Sequence, residues 1–210
     1  MKVELNFCEP RTLLDRTEDA LSEVPHAELF NNPKYQKLRE AWCAAMFGLG
    51  YSKHVAQCKV AVNDQPIRQD VDFYLRSDSH IWGIQLAEAQ KPDRRRGAEY
   101  KRGDAKLYRV PFPSDAIDNT EAPAWLASVV QKKKAKHYAT RSSLNLLLYA
   151  NFDGPGLRYP DVATALEKYS GDFASIWIVT SLHICSVFTP PGMGSVPRWG
   201  KVRDPSEYYP

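Results

Sequence analysis

Residues 71–92, VDFYLRSDSHIWGIQLAEAQKP, decide how the rest of the chain is read. Two apolar runs flank the short polar stretch SDSH, which predicts an antiparallel hairpin. The same stretch puts Asp72, Glu88 and Gln90 near strand ends, and strand interiors disfavour all three residue types. Period-2 alternation places Asp70, Asp72 and Tyr74 on one face of the first strand, and Glu88 with Gln90 on one face of the second. A hairpin opposes the start of its first strand to the end of its second, so Asp72 falls across from the half that carries Glu88. Two carboxylates and an amide gathered at one sheet end are hard oxygen donors of the kind magnesium or manganese takes. Such an ion polarises a phosphate and activates water for hydrolysis. The same residues also read as carboxylates flanking turns or sheet edges, in contact with water or a nearby arginine.

Outward from the hairpin, VAQCKVAV before it supplies a third strand, so that three strands form an antiparallel meander. Upstream, Leu13, Leu14, Thr17, Leu21 and Val24 recur with a helical period from Thr12 to Val24, stopped by Pro25. A short strand is expected before Pro10. A second helix starts after Asn32 as cap and Pro33 at the first helical position. Its stripe is Tyr35, Leu38, Trp42, Ala45, Met46 and Leu49, Gly48 and Gly50 end it, and Glu40 faces solvent opposite the stripe. Downstream, Lys91–Ala122 reads as a long irregular insertion. Pro123–Tyr138 follows as a helix opened by Asn119 or Thr120 and packed through Leu126, Val129 and Val130. LNLLLYANF has the continuous apolarity of a strand buried on both faces. YPDVATALEKYSGDF is a helix, SIWIVTSLHICSVF is one long strand or two, and the turn-rich end wraps the surface. A meander followed by a β-α-β passage implies an α/β domain with a mixed sheet flanked by helices. The reading is of one domain over 1–210: an N-terminal strand and helix addition (1–32), a core (33–188) and a tail (189–210).

Composition narrows the function classes. A chain of 210 residues with 43% hydrophobic and 25% charged residues can hold one substantial core. No apolar run reaches membrane-spanning length, and the start is too acidic and interrupted for a signal peptide. Cys8, Cys43, Cys58 and Cys185 are scattered with no C-x-x-C, so reduced thiols in a cytoplasmic protein are expected, without zinc. Trp42, Trp82, Trp125 and Trp177 fall on apolar positions and read as core. His80, His137 and His183 read as structural.

Charge is uneven. Lys91–Arg109 carries eight Lys or Arg against three acids, a surplus of five where the whole chain carries +3. Arg94, Arg95, Arg96, Lys101 and Arg102 are the candidate nucleic-acid contacts, with Tyr100 and Tyr108 interleaved for stacking. A solvated loop is the alternative. Lys132, Lys133, Lys134 and Lys136 close a helix, where cations offset the helix dipole without any ligand.

Asp72, the strand after it, and Glu88-Ala89-Gln90, set after a helix and inside a meander, resemble the PD-(D/E)xK nuclease superfamily, whose fold is that of restriction endonucleases. The resemblance spans roughly Pro33 to Phe188, and more narrowly it is to a group of uncharacterised bacterial proteins taken to be endonucleases. It implies a restriction-endonuclease-like fold, Mg2+ (or Mn2+) held by Asp72 and Glu88, and a nucleic-acid substrate, DNA rather than RNA. The last motif position, which positions or activates the attacking water, falls on Gln90. Gln90 departs from the usual lysine, and Val71 replaces the proline before the Asp. A glutamine carries no charge to stabilise a developing hydroxide. Two readings therefore stand: a metal-dependent endonuclease with Asp72, Glu88 and Gln90 as its catalytic residues, or an inactive relative that binds nucleic acid or protein.

Overall fold

The computed structural model describes residues 5–25, 28–29, 32–64, 70–90, 119–136, 143–150, 152 and 157–204. The fold is α/β. Seven strands form one mixed sheet in chain order: β1 (Lys59–Val62), β2 (Phe73–Ser77), β3 (His80–Ala89), β4 (Asn145–Ala150), β5 (Ser175–Val179), β6 (His183–Phe188) and β7 (Gly200–Lys201). The β3–β4 and β4–β5 pairs are parallel, and the other four are antiparallel. The helices are α1 (Pro10–Ser22), α2 (Gln36–His54), α3 (Ala122–Ala135) and α4 (Tyr159–Leu166).

The central strands explain the layering. β4 and β5 are buried along almost their whole length, so each needs apolar cover on both faces. On one face Phe47 and Tyr51 of α2 pack on Phe73, Leu147, Trp177 and Val179. On the other, Leu126 and Val130 of α3 and Val162 and Leu166 of α4 pack on Leu146, Leu148, Ile176 and Ile178. The first hairpin turns at Asp78, which takes a left-handed φ of 51°, a conformation that Asp tolerates better than most residues. SIWIVTSLHICSVF resolves into two strands, β5 and β6.

Several boundaries differ from expectation for identifiable reasons. Pro10 opens α1 instead of merely ending a strand; its missing N–H is no loss at a first helical position. Ahead of it, Cys8 makes a single bridge to Val60. Asn32 caps as expected, accepting from the Lys34 N–H, but Pro33–Tyr35 forms a 3-10 turn before α2. Gly48 and Gly50 do not end α2, which runs on to His54. They sit where neighbours press closest: a Cβ on Gly48 would lie 2.8 Å from Pro10, and one on Gly50 2.8 Å from Ile184. Here glycine serves close approach, not helix termination. The tail does more than wrap the surface, since Gly200–Lys201 adds a strand and Arg203, buried, pairs with Glu18 of α1 at 2.7 Å. None of the four cysteines is in a disulfide. No described helix is long and apolar enough to cross a membrane.

Candidate functional site

β3 changes partners along its length. Antiparallel pairing to β2 runs from Ser77–His80 to Phe73–Ile84, and parallel pairing to β4 runs from Ile84 to Ala89. Ile84 alone belongs to both ladders. Among the described residues each half therefore has one edge without a neighbouring strand, and buried backbone groups there need other partners.

In the first half the Gly83 carbonyl accepts from Asn145 Nδ2 (3.0 Å), and Asn145 Oδ1 in turn accepts from the Ser175 hydroxyl (2.8 Å). In the second half the Leu86 N–H donates to Asp72 Oδ2 (2.7 Å), and the Leu86 carbonyl accepts from Lys133 Nζ (3.1 Å). One clamp is a neutral amide and hydroxyl. The other is a carboxylate and an ammonium.

Asp72 is fixed where the two strands part. Its N–H donates to the Ile84 carbonyl (2.9 Å), and its carbonyl accepts from the Asn63 N–H (3.0 Å). Asn63 Nδ2 holds the adjacent Val71 carbonyl at 2.7 Å. Burial raises the Asp72 pKa above its ordinary 3.8; the Leu86 N–H opposes this, nearby Glu40 adds to it, and Lys133 and Lys37 oppose it. Burial lowers the Lys133 pKa below its ordinary 10.5, against the pull of Asp72. Desolvation thus outweighs attraction for both members of the pair.

Glu40 corrects a sequence expectation. It is 4% exposed, not solvent-facing. Its two oxygens accept from Gln36 Nε2 (2.8 Å) and Lys37 Nζ (2.7 Å), and Lys37 also donates to the Asn63 carbonyl (2.9 Å). The polar first turns of α2 are therefore tied to the segment that carries Asp72. Lys133 is the second residue the sequence reading placed elsewhere. It reaches the sheet, and its neighbour Lys134 pairs with Asp172 at 2.7 Å, so these two lysines do more than offset the helix dipole.

Asp72, Glu40, Glu88, Lys133 and Lys136 line one cleft of about 520 Å³. Leu21, Leu29, Trp42, Cys43, Leu86 and Tyr149 supply its apolar lining. Trp42 meets Tyr149 edge to face at 5.5 Å between ring centres, and both are half-buried. Trp42 is thus cleft wall as well as core. Arg39 spans to the Leu29 carbonyl, joining α2 to the segment before it. Gln85 also lines the cleft; it is 4% exposed, and among the described residues its buried Oε1 has no hydrogen-bond donor.

The three sequence candidates separate. Asp72 is half-buried at the fork, and Glu88 is exposed in the cleft lining. Gln90, half-buried just past the end of β3, is not among the lining residues. Arg94, Arg95, Arg96, Lys101 and Arg102 lie outside the described residues, as do Tyr100 and Tyr108. Among the described residues no three His, Cys, Asp or Glu side chains gather closely enough to hold a metal ion. Magnesium, however, commonly keeps several waters and binds through one or two carboxylates plus substrate phosphate. Asp72 with Glu88 or Glu40 offers that hard oxygen set, and a cation would relieve the unfavourable charge on Asp72. No protein-family model, curated protein or solved structure matched this chain.

Proposed function

We propose that the chain is a divalent-metal-dependent endonuclease with a restriction-endonuclease-like fold, hydrolysing nucleic-acid phosphodiester bonds in the cleft at the β2–β3 fork. One observation carries the reading. β3 needs a side-chain clamp at both places where it lacks a neighbour, and a neutral clamp suffices at Gly83. The clamp at Leu86 uses two groups that burial pushes away from their charged forms. Such a pair stabilises a fold poorly, and titratable groups that desolvation and a charge partner perturb within a cleft are candidates for a functional site.

Asp72, and Glu88 or Glu40 with it, would hold Mg2+ or Mn2+. When bound, the ion supplies Lewis-acid polarisation of the phosphate and a more acidic water. Asp72 keeps one oxygen on the Leu86 N–H, which fixes its carboxylate plane. Lys133 supplies beside Asp72 the positive charge that Gln90 lacks, and so takes the part that the resemblance gives to the final motif lysine. Its depressed pKa eases exchange of a proton with water. Glu40, pinned by Gln36 and Lys37, adds the negative charge that favours a cation at Asp72. The DNA preference and the basic residues 94–96, 101 and 102 belong to this same proposal.

A specific observation favours the second reading, an inactive nucleic-acid-binding or protein-binding relative. Lys133 and Asp72 are already engaged by Leu86, and a purely structural clamp would look the same. Calorimetric titration with Mg2+ and Mn2+, with and without oligonucleotide, and a nuclease assay separate the two. The endonuclease reading expects metal binding and metal-dependent cleavage, both lost in Asp72→Asn, with cleavage also lost in Lys133→Met. Absence of both metal binding and cleavage in the wild type would sink it. Gln90→Lys tests the motif position: with Lys133 already in the role, it should leave the rate within about threefold of wild type, on the scale of a residue outside the reacting centre.

A further inference from the structure

We propose that the cleft takes one unstacked nucleotide, its phosphate at the Asp72–Lys133 end and its base against Trp42 and Tyr149, so that the substrate is single-stranded or frayed nucleic acid in preference to intact duplex. This rests on the nuclease reading and narrows its substrate.

The lining of the cleft carries the inference. A duplex presents phosphates and sugars to a protein and keeps the flat faces of its bases stacked inside. Leu21, Leu29, Trp42 and Tyr149 would then have nothing to bind. An unstacked base has an apolar face of the right kind, and aromatic side chains take such faces with little regard to sequence. Enzymes that need one nucleotide out of the stack receive it in an enclosed pocket. The volume of about 520 Å³ lies within the range of a single small-ligand site. Leu21 of α1 and Leu29 add apolar lining from residues that precede α2.

Charge points the same way. Arg39, Lys133 and Lys136 face Glu40, Asp72 and Glu88 in the lining, three cations against three carboxylates. Among the described residues, such a lining makes no continuous track for a phosphate backbone. With one divalent cation added, it becomes net positive, which favours a phosphodiester anion. Gln85 adds a requirement of another sort. Among the described residues its buried Oε1 has no donor, and an ionised phosphodiester has none to give. Sugar hydroxyls and base N–H groups do.

The test is fluorescence anisotropy in calcium with a short fluorescein-labelled oligothymidylate and with a blunt duplex of the same length. Wild type, Trp42→Leu and Trp42→Phe are compared, and thymidine monophosphate serves as competitor. The wild type should bind the single strand about tenfold or more tightly than the duplex. Trp42→Leu should lose about tenfold of that affinity, and Trp42→Phe should retain most of it. Thymidine monophosphate should displace the oligonucleotide from the wild type, a measurement that holds even if Trp42→Leu does not fold. Equal duplex affinity, no displacement, or a folded Trp42→Leu that binds as the wild type does would each overturn the proposal. Metal-dependent cleavage of duplex by the same preparation would then leave the nuclease reading standing. Binding of neither nucleic acid would take both down.

Discussion

The two halves of β3 face the same problem and answer it differently. His80–Gly83 has β2 on one edge, and Asn145 closes the gap on the other; Gln85–Ala89 has β4 on one edge, and Asp72 with Lys133 closes the other. Asn145 is 3% exposed and its carbonyl takes the Ser175 hydroxyl, so the neutral clamp is buried and both its ends are satisfied. The charged clamp lines a cleft and leaves both members desolvated. The difference teaches that a fork in a sheet does not require charge. In the proposed endonuclease, charge beside Leu86 and not beside Gly83 is the mark of the half that does chemistry.

Breaking the neutral clamp should have the largest effect on stability. Asn145→Ala leaves the Gly83 carbonyl without its donor and Ser175 without its acceptor, both in the interior, and should destabilise the fold by about 3 kcal/mol in urea denaturation. Lys133→Met should destabilise by only about 1 kcal/mol, because the lost bond to Leu86 is offset by removal of a desolvated ammonium. A loss in Lys133→Met as large as in Asn145→Ala would erase the contrast and make the charged clamp architectural.

The pH dependence sharpens the same comparison. The folded pKa of Lys133 lies below 10.5, so between that value and 10.5 the unfolded chain binds more protons than the folded one. Stability contributed by this residue therefore rises with pH through that window, and Lys133→Met should lack the rise. Asp72 runs oppositely in its own window. Its folded pKa lies above 3.8, so from 3.8 up to the folded value the folded chain binds more protons, and stability falls as pH rises. Asp72→Asn, which retains an acceptor for the Leu86 N–H, should remove that fall. Melts across the acid range would refute this if wild type and variant ran parallel.

The smallest expected effect is at Glu88. It is exposed on β3, so Glu88→Ala should change stability by no more than about 0.5 kcal/mol while weakening metal-dependent cleavage. Because an exposed carboxylate is neutral to stability in either reading, only its activity is informative. Asp72 and Lys133 are the positions where stability and activity can be weighed together.

By itself the sequence determined the elements and their class. Period-2 runs around SDSH specified the hairpin, the unbroken apolar run LNLLLYANF specified β4 as a strand covered on both faces, and apolar spacing with end signals located the four helices among the described residues. These are local signals, because burial periodicity follows from backbone geometry. It also singled out Asp72, since a carboxylate opening an apolar strand conflicts with strand preference wherever the strand lies.

What only the tertiary structure decided is which residues join Asp72. Glu40 is separated from it by 32 positions in the chain and Lys133 by 61; helical spacing put Glu40 opposite the apolar stripe, and a lysine near a helix end already has a local reason to be there. α2 is buried nearly all round beyond Glu40, so its stripe could not reveal which polar residue turns inward. The point at which β3 exchanges β2 for β4 was equally hidden, because register is set by pairing between distant segments. Residue types and periodicity are read along the chain. Desolvation, which raises the pKa of Asp72 and lowers that of Lys133, depends on everything packed around them and exists only once the chain has folded.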